Sequence, residues 1–201
     1  MSAAERIPSY VTPQDYLAHE RKAQTRSEYH DGVVVAMAGA SWEHNQITRN
    51  LVRHLANQMD GSSCEPVVSD MRVHIPECNR YFYPDVMLVC GGPRFEDAKM
   101  DSLLNPSLIV EVLSDSTEKA DRGVKFDCYR TLESLTVYAL VAQDSPRVEV
   151  YTRHPDGTWR YEVVKDLEAM LALPSIGVSM RLADVYARVE FPPPTATPEA
   201  R

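Results

Sequence analysis

Residues 108–113 read Leu-Ile-Val-Glu-Val-Leu, a nearly continuous apolar run that predicts a β-strand buried on both faces. Such strands occur where further layers of structure cover both sides of a sheet. Patterns typical of helices and of other strands lie before and after this run. The sequence therefore predicts an α/β (α+β) fold, with a mixed central sheet flanked by helices.

Local patterns place an N-terminal helix and hairpin before this strand and a C-terminal meander after it. Thr12 followed by Pro13 predicts the start of a helix that runs to residue 23, and Asp31-Gly32 predicts a hairpin turn. Ser41 is predicted to cap a longer helix that ends before Gly61. The other predicted elements are hairpin strands over 26–30 and 33–37, strands over 67–75 (or two short ones broken near 69–70), 81–90, 137–142, 148–152 and 159–164, and helices over 117–132 and 182–188.

The length of 201 residues fits one domain, predicted over residues 11–190 between an N-terminal extension (1–10) and a disordered proline-rich tail (191–201). No run approaches the roughly 20 apolar residues of a membrane helix, and the charged N-terminus is unlike a signal peptide. A cytoplasmic location is therefore predicted. The formal net charge of −8 argues against nucleic-acid binding by bulk positive charge, although an enzyme can still meet phosphate through a metal ion.

The four cysteines, at positions 64, 78, 90 and 128, include no CxxC pair. In a cytoplasmic protein they are predicted to be reduced thiols that fill small spaces in the core. Cys64, His74 and Cys78 lie close enough in sequence to suggest zinc, but their spacing fits no common site and a fourth ligand is not evident.

Glu111 is the anomaly in the apolar strand, because a buried carboxylate is costly unless it is paired or binds a metal. Strand alternation places it on the same face as Ile109 and Leu113. Two explanations stay open at this point. Glu111 either pairs with a lysine or arginine, or binds a cation.

Two further acids occur in comparable places. Asp85 follows Pro84 just inside an apolar strand, and Glu28 lies at the start of the predicted hairpin. Asp85 could instead be an edge-strand residue in a turn, and Glu28 an exposed strand carboxylate. Carboxylates gathered from several strands would suit Mg²⁺ or Mn²⁺, which prefer hard oxygen ligands.

Lys125 adds a basic group on the helix that follows Glu111. Residues 117, 121, 125 and 129 share one stripe of this helix, and the neighbouring apolar stripe (120, 124, 128 and 132) is predicted to face the sheet. Lys125 is therefore predicted at the border of the core, within reach of the strand acids. The alternative is a surface pair between Asp121 and Lys125, worth only about 0.3–0.5 kcal/mol.

These motifs together resemble the Uma-type restriction endonuclease family, which belongs to the PD-(D/E)XK nuclease superfamily. The resemblance covers about residues 10–190 and depends on Pro84-Asp85, on segments 28–32, 38–44, 111–117 and 121–125, and on Tyr129. The superfamily's usual lysine position is Leu113 here, and Lys125 matches a lysine displaced onto the next helix. The family's Glu-Tyr-Trp run around Tyr138 is absent, since Val137 and Ala139 flank that tyrosine.

The resemblance implies a restriction-endonuclease-like fold and a homodimeric enzyme that hydrolyses phosphodiester bonds in DNA. Asp85, Glu111 and the backbone carbonyl of Val112 would bind Mg²⁺ (or Mn²⁺), with Glu28 as a further ligand of metal or water. Asp85, Glu111, Lys125 and Glu28 would be catalytic, with Lys125 orienting a metal-bound water or stabilising charge on phosphorus.

His44 is predicted to pack its helix or to support the site residues. Two other functions stay open. One is a nucleic-acid-binding or regulatory protein on the same scaffold, and the other is an interaction module whose acids form structural ion pairs.

Overall fold

The computed structural model describes residues 10–68 and 70–192. Most of the predicted extension (1–10) and tail (191–201) therefore lies outside the described residues. None of the helices in the described ranges is long and apolar enough to cross a membrane.

A six-stranded mixed sheet forms the centre of the molecule, with one parallel pair of neighbouring strands, over 108–113 and 137–142, and antiparallel pairs elsewhere. Every residue of the predicted apolar strand is buried, because both faces of this sheet are covered. In spatial order its strands are β11 (Trp159–Lys165), β10 (Arg147–Arg153), β9 (Val137–Ala142), β8 (Leu108–Leu113), β6 (Val86–Cys90) and β3 (Cys64–Val68).

A five-stranded sheet covers one face of the central sheet. Val73, Ile75 and Phe82 of this second sheet pack in one core with Met87 and Ile109 of the central sheet. In spatial order its strands are β2 (Val33–Ala36), β1 (Ser27–His30), β5 (Arg80–Phe82), β4 (Arg72–Ile75) and β7 (Ser102–Leu103). Helix α1 (Pro13–Glu20) lies on the outer face of this sheet.

The other face of the central sheet packs against α2 (Trp42–Met59). The Ser41 hydroxyl accepts the His44 amide at 3.0 Å, so the predicted cap is present. The two-stranded sheet of β12 (Met170–Leu173) and β13 (Val178–Arg181), followed by α5 (Leu182–Val185), completes this layer. The predicted α/β fold, with its N-terminal helix and hairpin and its C-terminal meander, is confirmed.

The helical segment after Glu111 differs from its prediction. It consists of α3 (Glu118–Ala120), a π-helical turn (Asp121–Lys125) and α4 (Phe126–Tyr129). A π turn widens the helix and rotates the side chains that flank it. Asp121 and Lys125 are buried in consequence and Val124 is exposed, so the predicted apolar face is wrong in its first half.

The structure also corrects one strand prediction, decides one open alternative and adds a hairpin. The strand predicted over 81–90 is two strands in different sheets, β5 and β6, because the chain crosses between the sheets at Pro84. Of the two possibilities for residues 67–75, the structure contains two separate strands, β3 and β4, and not one continuous strand. The hairpin of β12 and β13 was not predicted at all.

The cysteines also differ from their prediction as reduced thiols. Cys64 pairs with Cys90 and Cys78 with Cys128 in two disulfides. The paired cysteines are 26 and 50 residues apart, so no local sequence pattern indicates the pairs. In the fold, strand pairing brings Cys64 directly opposite Cys90. The zinc alternative is wrong as well, since Cys64 and Cys78 are both in disulfides and cannot bind a metal as thiolates.

Asp101 is expected to make stability depend on pH. It pairs with Arg21 at 2.8 Å and with the buried Arg72 at 2.6 Å, and the Arg21 hydrogen bond is the main cause of its lowered pKa. Asp101→Asn should cost about 1–3 kcal/mol near neutral pH, because Arg72 loses its carboxylate. A carboxyl with a lowered folded-state pKa stabilises above its unfolded pKa of about 3.9 and loses this contribution as pH falls through the folded-state value.

Urea unfolding from neutral to acid pH measures this effect. The difference between wild type and Asp101→Asn should shrink steadily below about pH 4. Asp127→Asn, which removes a well-exposed partner of Arg130, is the control and should leave stability unchanged. A difference that stays constant with pH would contradict the expectation.

Candidate active site

The predicted site residues come together between the two large sheets. Glu28 reaches inward from β1, and Glu111 reaches toward it from β8. Lys125 enters from the π turn, and Asp85 lies where the chain passes from β5 to β6. Glu28, Glu111 and Lys125 are buried, and Asp85 is partly exposed.

Lys125 lies at the centre of an acidic cluster. Its ammonium nitrogen Nζ is 3.0 Å from Glu28 Oε1, 3.2 Å from Asp121 Oδ1 and 3.4 Å from Glu111 Oε1. The Phe82 ring lies 5.5 Å away, within the range of a cation–π contact. The Asp121–Lys125 pair therefore exists, but in the interior, so its alternative interpretation as a surface pair is wrong.

The carboxylates around Lys125 determine its charge. Burial alone would lower the pKa of Lys125, but the negative charges of Glu111, Glu28 and Asp121 outweigh burial and raise it. Burial would likewise raise the pKa of Glu28, but the hydrogen bond from His30 and the Lys125 ammonium lower it. Lys125 and Glu28 are thus both held in their charged forms.

Glu111 shows the opposite balance. Burial raises its pKa well above the usual range, and the nearby charges of Asp121, Asp85 and Glu28 add to this against the opposing effect of Lys125. The Tyr129 hydroxyl donates to Glu111 Oε1 at 2.9 Å. The cluster therefore contains more negative charge than one ammonium can balance.

Asp85 is fixed by two neighbours. Its Oδ2 atom accepts the Val112 amide at 2.7 Å, and its Oδ1 atom lies 3.0 Å from His44 Nε2. The ladder between β6 and β8 ends at the pair of Val86 and Val110. The Asp85 carboxylate therefore accepts a β8 amide that lies beyond the end of this ladder. His44 contacts a predicted site residue directly.

The sequence interpretation missed two members of the cluster. His30 Nε2 lies 3.2 Å from Glu28 Oε2, and Asp121 contributes a buried carboxylate. Each had a signal available, since residues 28 and 30 share a strand face and residues 121 and 125 share a helix stripe. The Tyr138 hydroxyl also donates to the Asp121 carbonyl at 2.9 Å, which holds the π turn against β9.

The donor atoms suit a hard divalent cation without forming a complete site. Three carboxyl groups lie within 3.4 Å of a single lysine, and the charge of Asp85 also acts on Glu111. Carboxylate oxygens are the preferred ligands of Mg²⁺ and Mn²⁺. Among the described residues, no three or more His, Cys, Asp or Glu side chains are already arranged to bind a metal ion. The chemistry of the cluster therefore fits such an ion, while a complete set of protein ligands is not preformed.

Comparisons with known proteins give a consistent picture. A family model described as "Uma2: Putative restriction endonuclease" matches residues 13–183. A Synechocystis sp. protein named "Uncharacterized protein sll1609" is 42% identical over 149 residues, covering 74% of this chain and 84% of that protein. A second one, "Uncharacterized protein slr1290", is 36% identical over 185 residues, covering 90% and 94%.

A solved structure shares the fold. It is described as "a putative nuclease belonging to DUF820" from Anabaena variabilis, and it has a TM-score of 0.69 at 17% identity. The match covers 88% of this chain and 97% of that one. At this identity, the likeness shows the architecture alone.

Proposed function

This chain belongs to the Uma2 family of restriction-endonuclease-like proteins, and from that premise we propose that it is a metal-dependent endonuclease acting on DNA. The resemblance found in the motifs is confirmed by the family match. Family and fold together support a nuclease-like function. We propose the metal, the substrate and the residue roles from the arrangement of the site.

The meeting of Glu28, Glu111 and Asp121 around Lys125, with Asp85 close enough to act on the charge of Glu111, carries the proposal. These residues come from both large sheets, the connection between them and the π turn, and burying so many carboxyl groups together is unfavourable without compensation. A divalent cation would balance the charge that Lys125 leaves over. Functional sites commonly contain buried groups with displaced pKa values, as Glu111 is here.

Asp85 and Glu111 would hold Mg²⁺ or Mn²⁺, with the Val112 carbonyl and Glu28 as further ligands of metal or water. When bound, the ion would polarise a phosphoryl oxygen and lower the pKa of an attacking water. The hydrogen bonds from Val112 and His44 orient Asp85 for this role, and Tyr129 orients Glu111. Lys125, kept protonated, would stabilise negative charge that develops on phosphorus.

Three broader predictions belong to the same proposal. The catalytic domain spans residues 11–190, the enzyme is a homodimer, and it acts in the cytoplasm, where its two disulfides would be exceptional. DNA is proposed as the substrate because the description of the family names restriction endonucleases, which cleave DNA.

Asp85→Asn tests the nuclease proposal. The variant should lose metal-dependent nicking of plasmid DNA by more than about 100-fold, since an amide is a poor ligand for Mg²⁺. Calorimetry with Mn²⁺ provides a second readout and should show weaker binding than wild type. Glu65→Gln, which removes an exposed carboxylate on β3, is the matched control and should change neither result.

A specific observation also favours the second candidate, a nuclease-fold protein that binds nucleic acid or regulates without turnover. Lys125 already pairs with Glu28, Glu111 and Asp121, which is what a structural ion-pair network requires. A wild-type protein that binds DNA, yet neither cleaves it nor binds Mn²⁺, would support this second function and refute the first.

A further inference from the structure

Strand β2 is an open edge of the five-stranded sheet. It pairs with β1 on one side and is the last strand in the sheet order. All of its residues are exposed, and Val33, Val34 and Val35 retain 52%, 40% and 43% of their accessible surface. Soluble proteins usually protect such an edge with charges, proline or a covering element.

The strand and the segment after it contain no charged residue. Residues 33–42 read Val-Val-Val-Ala-Met-Ala-Gly-Ala-Ser-Trp in a chain of which 25% is charged. Met37 and Trp42, within this segment, are exposed as well. An apolar, uncharged surface therefore continues from the strand edge to the start of α2.

The hydrogen-bond pattern shows which backbone groups point outward. The Met37 amide donates to the Arg26 carbonyl at 3.0 Å, in the same ladder that pairs Val35 with Glu28. Because the direction of these bonds alternates along an antiparallel strand, the N–H and C=O groups of Val34 and Ala36 face away from β1. Within the described residues, no strand lies on that side.

We propose that β2 pairs with β2 of a second copy of this chain, antiparallel and across a two-fold axis. Val34 would pair with Ala36 of the second copy, and Ala36 with its Val34, so that all outward backbone groups are satisfied. The Val35 side chains of the two copies would contact each other at the axis. The two five-stranded sheets would then form one continuous sheet.

Charge and symmetry favour a second copy as the occupant. Two chains of net charge −8 repel, so they associate best through a surface that lacks charge. A two-fold interface must be self-complementary, and an apolar antiparallel strand fulfils this condition. A stable interface buries about 800 Å² on each partner. A short strand alone buries less than this, so exposed neighbours such as Met37 and Trp42 must contribute to the interface.

This interface specifies the homodimer of the proposed function and would lie beside the site. Val35 stands directly opposite Glu28 in the β1–β2 ladder, so the two-fold axis would pass next to the strand that carries Glu28. The pairing itself does not require catalysis. Its test therefore measures oligomeric state, and its failure is distinguishable from a failure of nuclease activity.

Sedimentation of the full chain at micromolar concentration tests the interface. Wild type should have twice the 22.7 kDa mass of one chain. Val35→Lys should be monomeric, because two ammonium groups would meet at the axis. Val68→Lys alters a valine of similar exposure on β3, an edge strand of the six-stranded sheet, and should stay dimeric.

Ala36→Pro provides a second variant without added charge. Proline is tolerated on an edge strand where the lost N–H faces outward, so the fold should survive while the pairing is lost. Circular dichroism checks the fold of each variant. A monomeric wild type, or dimers of both Val35→Lys and Ala36→Pro, would overturn the proposal.

Hydrogen exchange identifies what covers the edge. Protection of the Val34 and Ala36 amides should rise with protein concentration, because the dimer forms by mass action. Protection that is independent of concentration would indicate a segment of the same chain on this edge and would likewise overturn the proposal.

Discussion

Glu111→Gln is expected to abolish metal-dependent cleavage while leaving the metal-free protein as stable as wild type, or more stable by up to about 3 kcal/mol. Burial and neighbouring carboxylates raise the pKa of Glu111, so its charge opposes folding near neutral pH. Lys125 keeps Glu28 and Asp121 as partners in the variant, and the amide oxygen can still accept the Tyr129 hydroxyl. Loss of activity with gain of stability is typical of a residue retained for function.

Glu149→Gln is the matched control. Glu149 is equally buried, but it pairs with Arg122 and lies 2.9 Å from Arg147 and from the Tyr161 hydroxyl. Burial would raise its pKa, but the Arg122 hydrogen bond and the other partners lower it, so its charge favours folding. This variant should lose about 1–3 kcal/mol, which is less than the roughly 3–5 kcal/mol for a fully buried pair because both arginines are partly exposed.

Urea unfolding with EDTA present compares the two variants without metal. Opposite signs are expected, with Glu149→Gln less stable than wild type and Glu111→Gln not. A loss of about 3 kcal/mol for Glu111→Gln would mean that Glu111 is a structural ion-pair partner, and the case for a metal ligand would weaken. The cleavage assay on the same preparations then separates function from stability.

Patterns within a single element predicted the fold well. The apolar run of β8, the cap and periodicity of α2, and the Asp31-Gly32 turn each have a local physical cause, which the sequence displays. The failures involve relations between elements. The sequence predicted one strand across Pro84, and only the structure shows that β5 and β6 on its two sides belong to different sheets.

The site was predictable in its acids and less so in its helix. Glu111 and Asp85 are conspicuous because acids are rare within apolar strands. The π turn has no comparable signal, and helical periodicity favoured an apolar face containing Val124. The actual inner face carries Asp121 and Lys125, because the Lys125 ammonium pairs with Asp121 and with the strand acids Glu28 and Glu111. Periodicity assumes that charge faces solvent, and buried functional clusters break this assumption.

Lys125→Met is expected to destabilise the protein by about 3–5 kcal/mol near neutral pH. Methionine replaces most of the lysine alkyl chain but leaves Glu28, Glu111 and Asp121 facing one another without a cation. Lys119→Met, on the exposed side of the same helical segment, is the control and should cost little. Mn²⁺ should raise the melting temperature of Lys125→Met more than that of wild type, since the cluster then has a larger excess of negative charge.

The double variant Lys125→Met/Glu111→Gln separates charge balance from packing. If Lys125 stabilises by neutralising the carboxylates, removing one of them should recover part of the lost stability, so that the two changes are strongly non-additive. If Lys125 acts mainly through its alkyl chain against Phe82, the double variant should lose about as much as Lys125→Met alone. Recovery of stability without recovery of cleavage is the expected result, because the proposed reaction requires both Glu111 and Lys125, whereas stability requires only that the buried charge be balanced.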